Sequence, residues 1–205
     1  MNLKKSFYSN LSTILDRKDY LKSRIKEKYF PWLCMRPMIK HILENHNHLE
    51  DLVCAEIGVC AGHNSYNMLK VLPIKKIFLI DPYCEYVDNA GLVGDYSRHM
   101  ETAHKRLEQY SDKIEWIRDY SENAYKKIPD NLDFVYIDGN HRYDIVMKDI
   151  ELYYPKVKPG GIIGGHDMFG ECLGVVRAVL DYTDQNEIKL YSRRQCWDND
   201  WWIIK

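Results

Sequence analysis

No run of about 18 consecutive apolar residues, the length a helical membrane span requires, occurs anywhere in the 205-residue chain. Lys4 and Lys5 are followed by no apolar stretch of secretory-leader length, so an intracellular, cytoplasmic protein is expected. The six cysteines, Cys34, Cys54, Cys60, Cys84, Cys172 and Cys196, contain no C-x-x-C pair. Their scatter fits reduced thiols better than a disulfide framework and gives no zinc signature. Charge of one sign is also lacking: 29 Lys and Arg stand against 30 Asp and Glu. A net charge of -1 supplies no field for neutralising phosphates, and no nucleic-acid partner is expected. Residues 1–30 depart from this balance, with eight basic side chains against Asp16, Asp19 and Glu27. That arm reads first as a solvated helical face and second as a docking element for an anionic partner or substrate. No Pro/Gly/Ser-rich linker, internal repeat or low-complexity tract divides the chain.

The remaining pattern is rich in information. Residues 1–50 are expected to form an N-terminal helical arm belonging to the same domain as 51–205, with Met38, Ile39, Ile42, Leu43 and Leu49 near helical spacing. From residue 52 onward short apolar runs alternate with stretches of helical length. Leu52 to Ile57, Ile77 to Ile80, Ile114 to Ile117, Phe134 to Ile137 and Ile162 to Ile163 read as buried parallel strands. Residues 64–71, 96–110, 121–128, 142–154 and 173–184 read as helices. Such alternation predicts an α/β, Rossmann-like, doubly wound and mostly parallel sheet with N-terminal helices. Residues 188–192 and 201–204 leave no room for a crossover helix, so a closing antiparallel hairpin is expected, turning at Trp197, Asp198, Asn199 and Asp200.

The first predicted strand runs into Glu56-Ile57-Gly58-Val59-Cys60-Ala61-Gly62, and a helix is expected from Asn64 or Ser65. Glycines there allow a tight turn and close ligand approach, and the helix N-terminus offers unbonded N–H groups to an anion. The G-x-G-x-x-G spacing of nicotinamide-binding folds is absent. The second strand ends at Asp81, and a carboxylate at that edge can accept hydrogen bonds from ribose hydroxyls. Glu56 and Asp81 at successive strand ends together point to an adenosine ligand.

The fourth and fifth strands deliver Asp138-Gly139-Asn140-His141 and His166-Asp167 to the same rim. Oxygen ligands on Asp138 and Asp167 suit Mg²⁺ or Mn²⁺, and imidazole at His166 is acceptable to Mn²⁺, Fe²⁺ or Co²⁺. A neutral histidine on this rim could take the proton of an alcohol whose oxygen a divalent ion stabilises. The segment 82–98, with Tyr83, Tyr86, Asp88, Asn89, Gly91, Gly94 and Tyr96, has the composition of a mobile lid suited to a sugar. Trp197, Trp201 and Trp202 read as core filling more readily than as a stacking platform.

On these motifs, residues 52–205 resemble the class I S-adenosylmethionine-dependent methyltransferases. The resemblance implies S-adenosylmethionine as cofactor, with Glu56, Gly58, Gly62 and Ser65 at its methionine end, Asp81 at the ribose, and Tyr120 with Ser121 at the adenine. The block from Asp138 through Tyr143, Asp149, Tyr154-Pro155-Lys156 and Lys158-Pro159-Gly160-Gly161 to His166-Asp167 is similar to one branch, that of macrolide sugar O-methyltransferases and cephalosporin-hydroxylase-like proteins. That likeness implies metal-assisted transfer of methyl to a hydroxyl of a sugar or glycan, with Asp138 and His141 catalytic and Asp138, His166 and Asp167 as metal ligands. His166 stands where the branch commonly has an acid. Alternatives are a catechol-like or other small-molecule hydroxyl as acceptor, a non-catalytic adenosine-ligand module, a hydrolase or oxygenase built on the His/Asp cluster, and self-association as a homo-oligomer.

Overall fold

The computed structural model describes residues 35–45, 50–87, 93–95, 98–169, 172–195 and 198–205. The basic arm, Leu49, Trp197 and much of the expected lid lie outside these residues. Arg36–Lys205 form one compact unit, to which all of the following refers.

The chain enters through α1 (Pro37–Asn45), opening on a proline that its first turn tolerates. Then follow β1 (Leu52–Ile57), α2 (His63–Val71), β2 (Ile74–Ile80) and a short antiparallel pair, β3 (Glu85–Val87) with β4 (Val93–Asp95). Next come α3 (His99–Leu107), β5 (Ile114–Ile117), the single turn α4 (Ser121–Ala124) and β6 (Leu132–Ile137). The chain closes with α5 (Tyr143–Tyr153), β7 (Val157–Gly165), α6 (Leu173–Gln185), β8 (Leu190–Gln195) and β9 (Asp198–Ile204). The main sheet has seven strands in the order β5-β2-β1-β6-β7-β9-β8. All pairs are parallel except those of β9, which runs antiparallel to both neighbours. This is the expected doubly wound, mostly parallel sheet with a terminal hairpin.

Period-two alternation decides which residues meet which helices. Ile57, Ile137, Gly165 and Trp201 are in register across β1, β6, β7 and β9. Ile57, Ile137 and Trp201 join Val146 and Ile150 of α5 and Val175, Ala178 and Val179 of α6 in one buried cluster. Their neighbours Glu56, Tyr136, Gly164 and Trp202 are also in register and face the other way. There Glu56 meets α2 through Asn64 and Ser65, and a Cβ at Gly164 would lie 2.7 Å from Met38 Sδ of α1. Gly164 is therefore the thin spot that lets α1 lie on the sheet.

Two expectations are revised. The terminal turn is tighter than Trp197 to Asp200: Gln195 pairs with Asp198, so 198–200 already belong to β9. The physical reason is Asp200, which is fully buried and accepts hydrogen bonds from Met38 N (2.9 Å) and the Tyr136 hydroxyl (3.0 Å) instead of facing solvent in a turn. Tyr83, expected in the lid, is 2% exposed and belongs to the core. Trp201 and Trp202 are buried, as core filling requires.

Candidate functional site

Parallel strands of a doubly wound sheet leave their functional residues just past their C-terminal ends, at the point where strand order reverses. Here the reversal lies between β1 and β6. Backbone bonds carry the ladder one step beyond each strand: Gly58 N to Ile80 O (2.9 Å), Asp138 N to Ile57 O (2.7 Å) and His166 N to Ile137 O (3.1 Å). The loop after β1, Asp138 and His166 are thus held at fixed positions on one rim. Above it opens a cleft lined by Gly58, Asp81, Tyr120, Ser121, Asp138 and Asp149 among others.

The loop is rigid for reasons that residue types dictate. Gly58 has φ +83°, and a Cβ there would lie 2.0 Å from the carbonyl oxygen of Asp138. Glycine is needed to let the β1 and β6 rims touch as well as to turn the chain. Asp81 is 8% exposed and clamps the loop: Oδ2 accepts from Val59 N (2.9 Å) and Cys60 N (2.8 Å), while Oδ1 accepts from Tyr83 N (2.8 Å). An ionised carboxylate has about four lone-pair sites, so capacity for one further donor remains on the cleft side.

Glu56 has a different position. It is 1% exposed, accepts hydrogen bonds from Asn64 Nδ2 (2.9 Å) and the Ser65 hydroxyl, and is not among the residues lining the cleft. Burial pushes its carboxyl up to about 7 against the lowering effect of these two bonds. Gly62, φ +74°, lies at the start of α2 behind the loop, against Ala103 and Leu107 of α3. Glu56 and Ser65 thus fasten the helix that follows the loop, while Gly58, Asp81, Tyr120 and Ser121 reach the cleft itself.

At the other end of the cleft, Tyr120 is half exposed, with its hydroxyl 3.3 Å from Cys84 Sγ. Ser121 begins α4, and its side chain opposes the upward shift that burial gives Asp149 of α5. Asp149 is 2% exposed, its Oδ1 has no hydrogen-bond partner, and burial pushes its carboxyl up to about 7. A buried orphaned acceptor in the wall of a cleft is what a ligand carrying N–H or O–H donors would satisfy. The cleft therefore fits an adenosine-bearing cofactor.

Past β6 and β7 lies a chain of charged groups. Asp138, His166 and Asp167 offer ligand atoms within 4.8 Å of one another, a hard-oxygen set with one imidazole that fits a divalent ion. His166 Nδ1 is 2.9 Å from Asp167 Oδ1 and 3.8 Å from Asp138 Oδ1, and His141 Nε2 is 2.8 Å from Asp167 Oδ2. Arg36 Nη1 stands 3.0 Å from Asp138 Oδ2 and donates to the Tyr136 hydroxyl at 3.1 Å. Burial raises the Asp138 pKa against the opposing Arg36 charge. Burial acts upward on Asp167 too, but hydrogen bonds from His141 and His166 prevail and hold it well below the usual carboxylate range. The same Asp167 contact raises His141. Asp167 has φ 65°, an unusual backbone state for a residue other than glycine, of the kind that concentrates at functional sites.

The structure thus brings together Asp138, His141, His166 and Asp167 in one cluster, and Gly58, Asp81, Tyr120, Ser121 and Asp138 around one cleft. Sequence reading gave no site role to three residues. Asp149 carries the signal of an acid on the inner face of an amphipathic helix. Arg36 and Cys172, which comes within 4.8 Å of His141 and Asp167, have no signal in local sequence because their partners are distant.

A family model described as a methyltransferase domain matches residues 55–168, more than half the chain. Uncharacterized protein R132 of Acanthamoeba polyphaga mimivirus is 28% identical over 131 residues, and the match covers 60% of this chain and 56% of that protein. The chain thus spans little more than half the length of that relative. Among solved structures, the O-methyltransferase from Bacillus cereus in complex with SAH has a TM-score of 0.60 at 13% identity, covering 82% of this chain and 80% of that one. The O-methyltransferase NovP has a TM-score of 0.58 at 19% identity, covering 80% and 75%. Spermidine synthase from Thermotoga maritima has a TM-score of 0.53 at 14% identity, covering 84% of this chain and 61% of that one. The matched segment runs from β1 through the glycine loop and both rim acids, and on that match the chain belongs to the methyltransferase domain family, with a class I S-adenosylmethionine-dependent methyltransferase fold.

Proposed function

We propose that this protein is a metal-assisted O-methyltransferase acting on a hydroxyl of a sugar or glycan. The observation that carries the reading is the Asp138, His141, His166 and Asp167 cluster beside a cleft that suits the cofactor. The O-methyltransferase titles of two fold neighbours favour oxygen as the acceptor atom, and the Asp138-x-x-His141 element resembles that of sugar-modifying enzymes. When bound, S-adenosylmethionine supplies a methyl on a sulfonium that departs without acid assistance, and a divalent ion supplies positive charge at the acceptor oxygen.

The residues divide the remaining work. Gly58, Asp81, Tyr120, Ser121 and Asp149 bind and orient the donor, with the Asp149 carboxyl available to a donor group of the adenine. Asp138, His166 and Asp167 hold the ion. An ionised Asp167 can only accept, so His141 Nε2 donates to it, and Nδ1 is then the basic nitrogen of the neutral ring. Asp167 thereby fixes both tautomer and ring plane. Positioning of the oxygen against the methyl carbon by a rigid rim supplies the rest of the rate.

The test is labelled-donor transfer to a panel of sugars and phenols with Mg²⁺ or Mn²⁺, alongside calorimetric binding of S-adenosylmethionine. Asp138→Asn and His141→Ala are expected to lose at least 100-fold in turnover with donor affinity retained. Turnover near wild type in both removes the assigned roles, a product without a new O-methyl group removes the reaction class, and transfer only to phenols removes the sugar.

A further inference from the structure

Asp167 presents its two carboxylate oxygens to two different neighbourhoods. Oδ1 faces His166, 2.9 Å away, and through it Asp138; Oδ2 faces His141, 2.8 Å away. On that second side stands Cys172, preceding α6, and its sulfur lies with a ring nitrogen of His141 and an oxygen of Asp167 inside the same 4.8 Å limit. The first set is oxygen-rich and hard. The second holds one nitrogen, one oxygen and one sulfur, and is soft at its thiol.

We propose that His141, Asp167 and Cys172 form a second metal site, selective for a borderline cation such as Zn²⁺ over Mg²⁺, whose occupation inhibits the enzyme. Thiolate and imidazole select Zn²⁺, whereas Mg²⁺ prefers carboxylate and water. Bonds of about 2.0–2.3 Å to a tetrahedral ion place ligand atoms roughly 3.3–3.8 Å apart, so side-chain rotations of about 1 Å close the set. Three protein ligands leave a fourth position for water. His141 retains 31% of its side-chain surface, so the cluster is open to an ion from solvent. The inhibitory consequence rests on His141 acting as the base: an ion on one ring nitrogen leaves the ring's single proton on the other, so neither nitrogen can take the acceptor proton. The two sets share only Asp167, whose oxygens are separately directed, so the soft ion need not displace the hard one.

Co²⁺ titrated into the metal-free full chain tests this, because thiolate-to-cobalt charge transfer absorbs in the near ultraviolet. The band is expected at stoichiometric Co²⁺, to persist under excess Mg²⁺, to be removed by Zn²⁺, to vanish in Cys172→Ser, and to survive in Asp138→Asn. No band in wild type, a band retained in Cys172→Ser, or one removed by Mg²⁺ overturns the site. Circular dichroism of Cys172→Ser guards against misfolding, and Cys172→Asp, which should bind Co²⁺ without the band, separates loss of sulfur from loss of structure. Zn²⁺ inhibition of Mg²⁺-supported turnover is expected to weaken at least tenfold in Cys172→Ser, and equal inhibition overturns the regulatory half. The spectrum needs neither methyl donor nor acceptor, so failure to find methyl transfer would leave it readable, and loss of the band would leave the methyltransferase reading intact.

Discussion

The most quantitative consequence of the cleft concerns Asp149. Its carboxyl is buried on the inner face of α5 and unbonded at Oδ1, and burial pushes its pKa up to about 7 against the lowering effect of Ser121. In the unfolded chain the same group ionises near ~3.9. Below pH ~3.9 both states carry the proton and no penalty arises. As pH rises from ~4 to ~7 the unfolded chain releases a proton that the folded protein keeps, so stability falls across that window and levels off above it. Full expression of the difference amounts to ~4 kcal/mol, an order-of-magnitude upper value. Asp149→Asn keeps the shape, offers Oδ1 to the Ser121 hydroxyl, and has no proton to lose. Urea unfolding of both proteins without ligand, from pH 4 to pH 8, is expected to give equal stabilities at the acid end. At the alkaline end the variant should be more stable by about 2–4 kcal/mol, with unchanged m. Glu56 and Asp200 also hold raised pKa values, so each protein retains a slope of its own and the difference between the curves is the quantity read. Parallel curves would refute the buried, proton-retaining state of Asp149.

Other outcomes follow from named contacts. Gly58→Ala places a Cβ 2.0 Å from the Asp138 carbonyl oxygen at a positive φ, and a loss of at least ~3 kcal/mol in urea unfolding is expected; less than ~1 kcal/mol would show that the two rims can part. Asp81→Asn leaves part of the loop clamp unmade and should cost ~2 kcal/mol and at least tenfold in calorimetric affinity for S-adenosylmethionine, with unchanged affinity counting against the clamp. Tyr136→Phe removes the hydroxyl that donates to Asp200 and accepts from Arg36, for ~1–3 kcal/mol. Burial holds the Asp200 pKa at about 6, so that loss should be larger at pH 8, where the carboxylate is charged, than at pH 5. Chelation should abolish turnover while moving the thermal midpoint by no more than a few degrees, because Arg36, His141 and His166 already pair with the two carboxylates Asp138 and Asp167.

The fold was legible wherever one physical signal dominated. Ile114–Ile117 was read to the residue, because a buried strand flanked by polar turns has no competing pattern. β7 was read as two residues and has nine, Val157–Gly165. Pro159, Gly160 and Gly161 look like a turn, yet this end of β7 has room for them: its bonds to the chain terminus, Gly160 N to Lys205 O (2.7 Å) and Lys205 N to Gly161 O (2.9 Å), need no side chains. The β3–β4 pair was missed for the opposite reason. Three residues are too few for period-two alternation to register.

In the site, sequence could say which strand end a residue occupies but not whether its side chain projects past the sheet or beneath a helix. Glu56 and Asp81 illustrate the difference, since both are acids at the ends of adjacent strands and both read as cofactor-facing. Glu56 is the penultimate residue of β1, still inside the ladder, so alternation sends it to the face that α2 covers. Asp81 is the first residue beyond β2, where alternation no longer binds it to a face and its carboxylate can turn up to the loop amides. Asp138 and His166 follow β6 and β7 by the same single residue and take part in the cluster on the rim. Asp167, one place further on, reaches both His141 and His166 only through a positive φ that no sequence pattern announces. The offset from the last ladder residue, rather than nearness to a strand end, therefore separates side chains that build this site from those that hold up its walls.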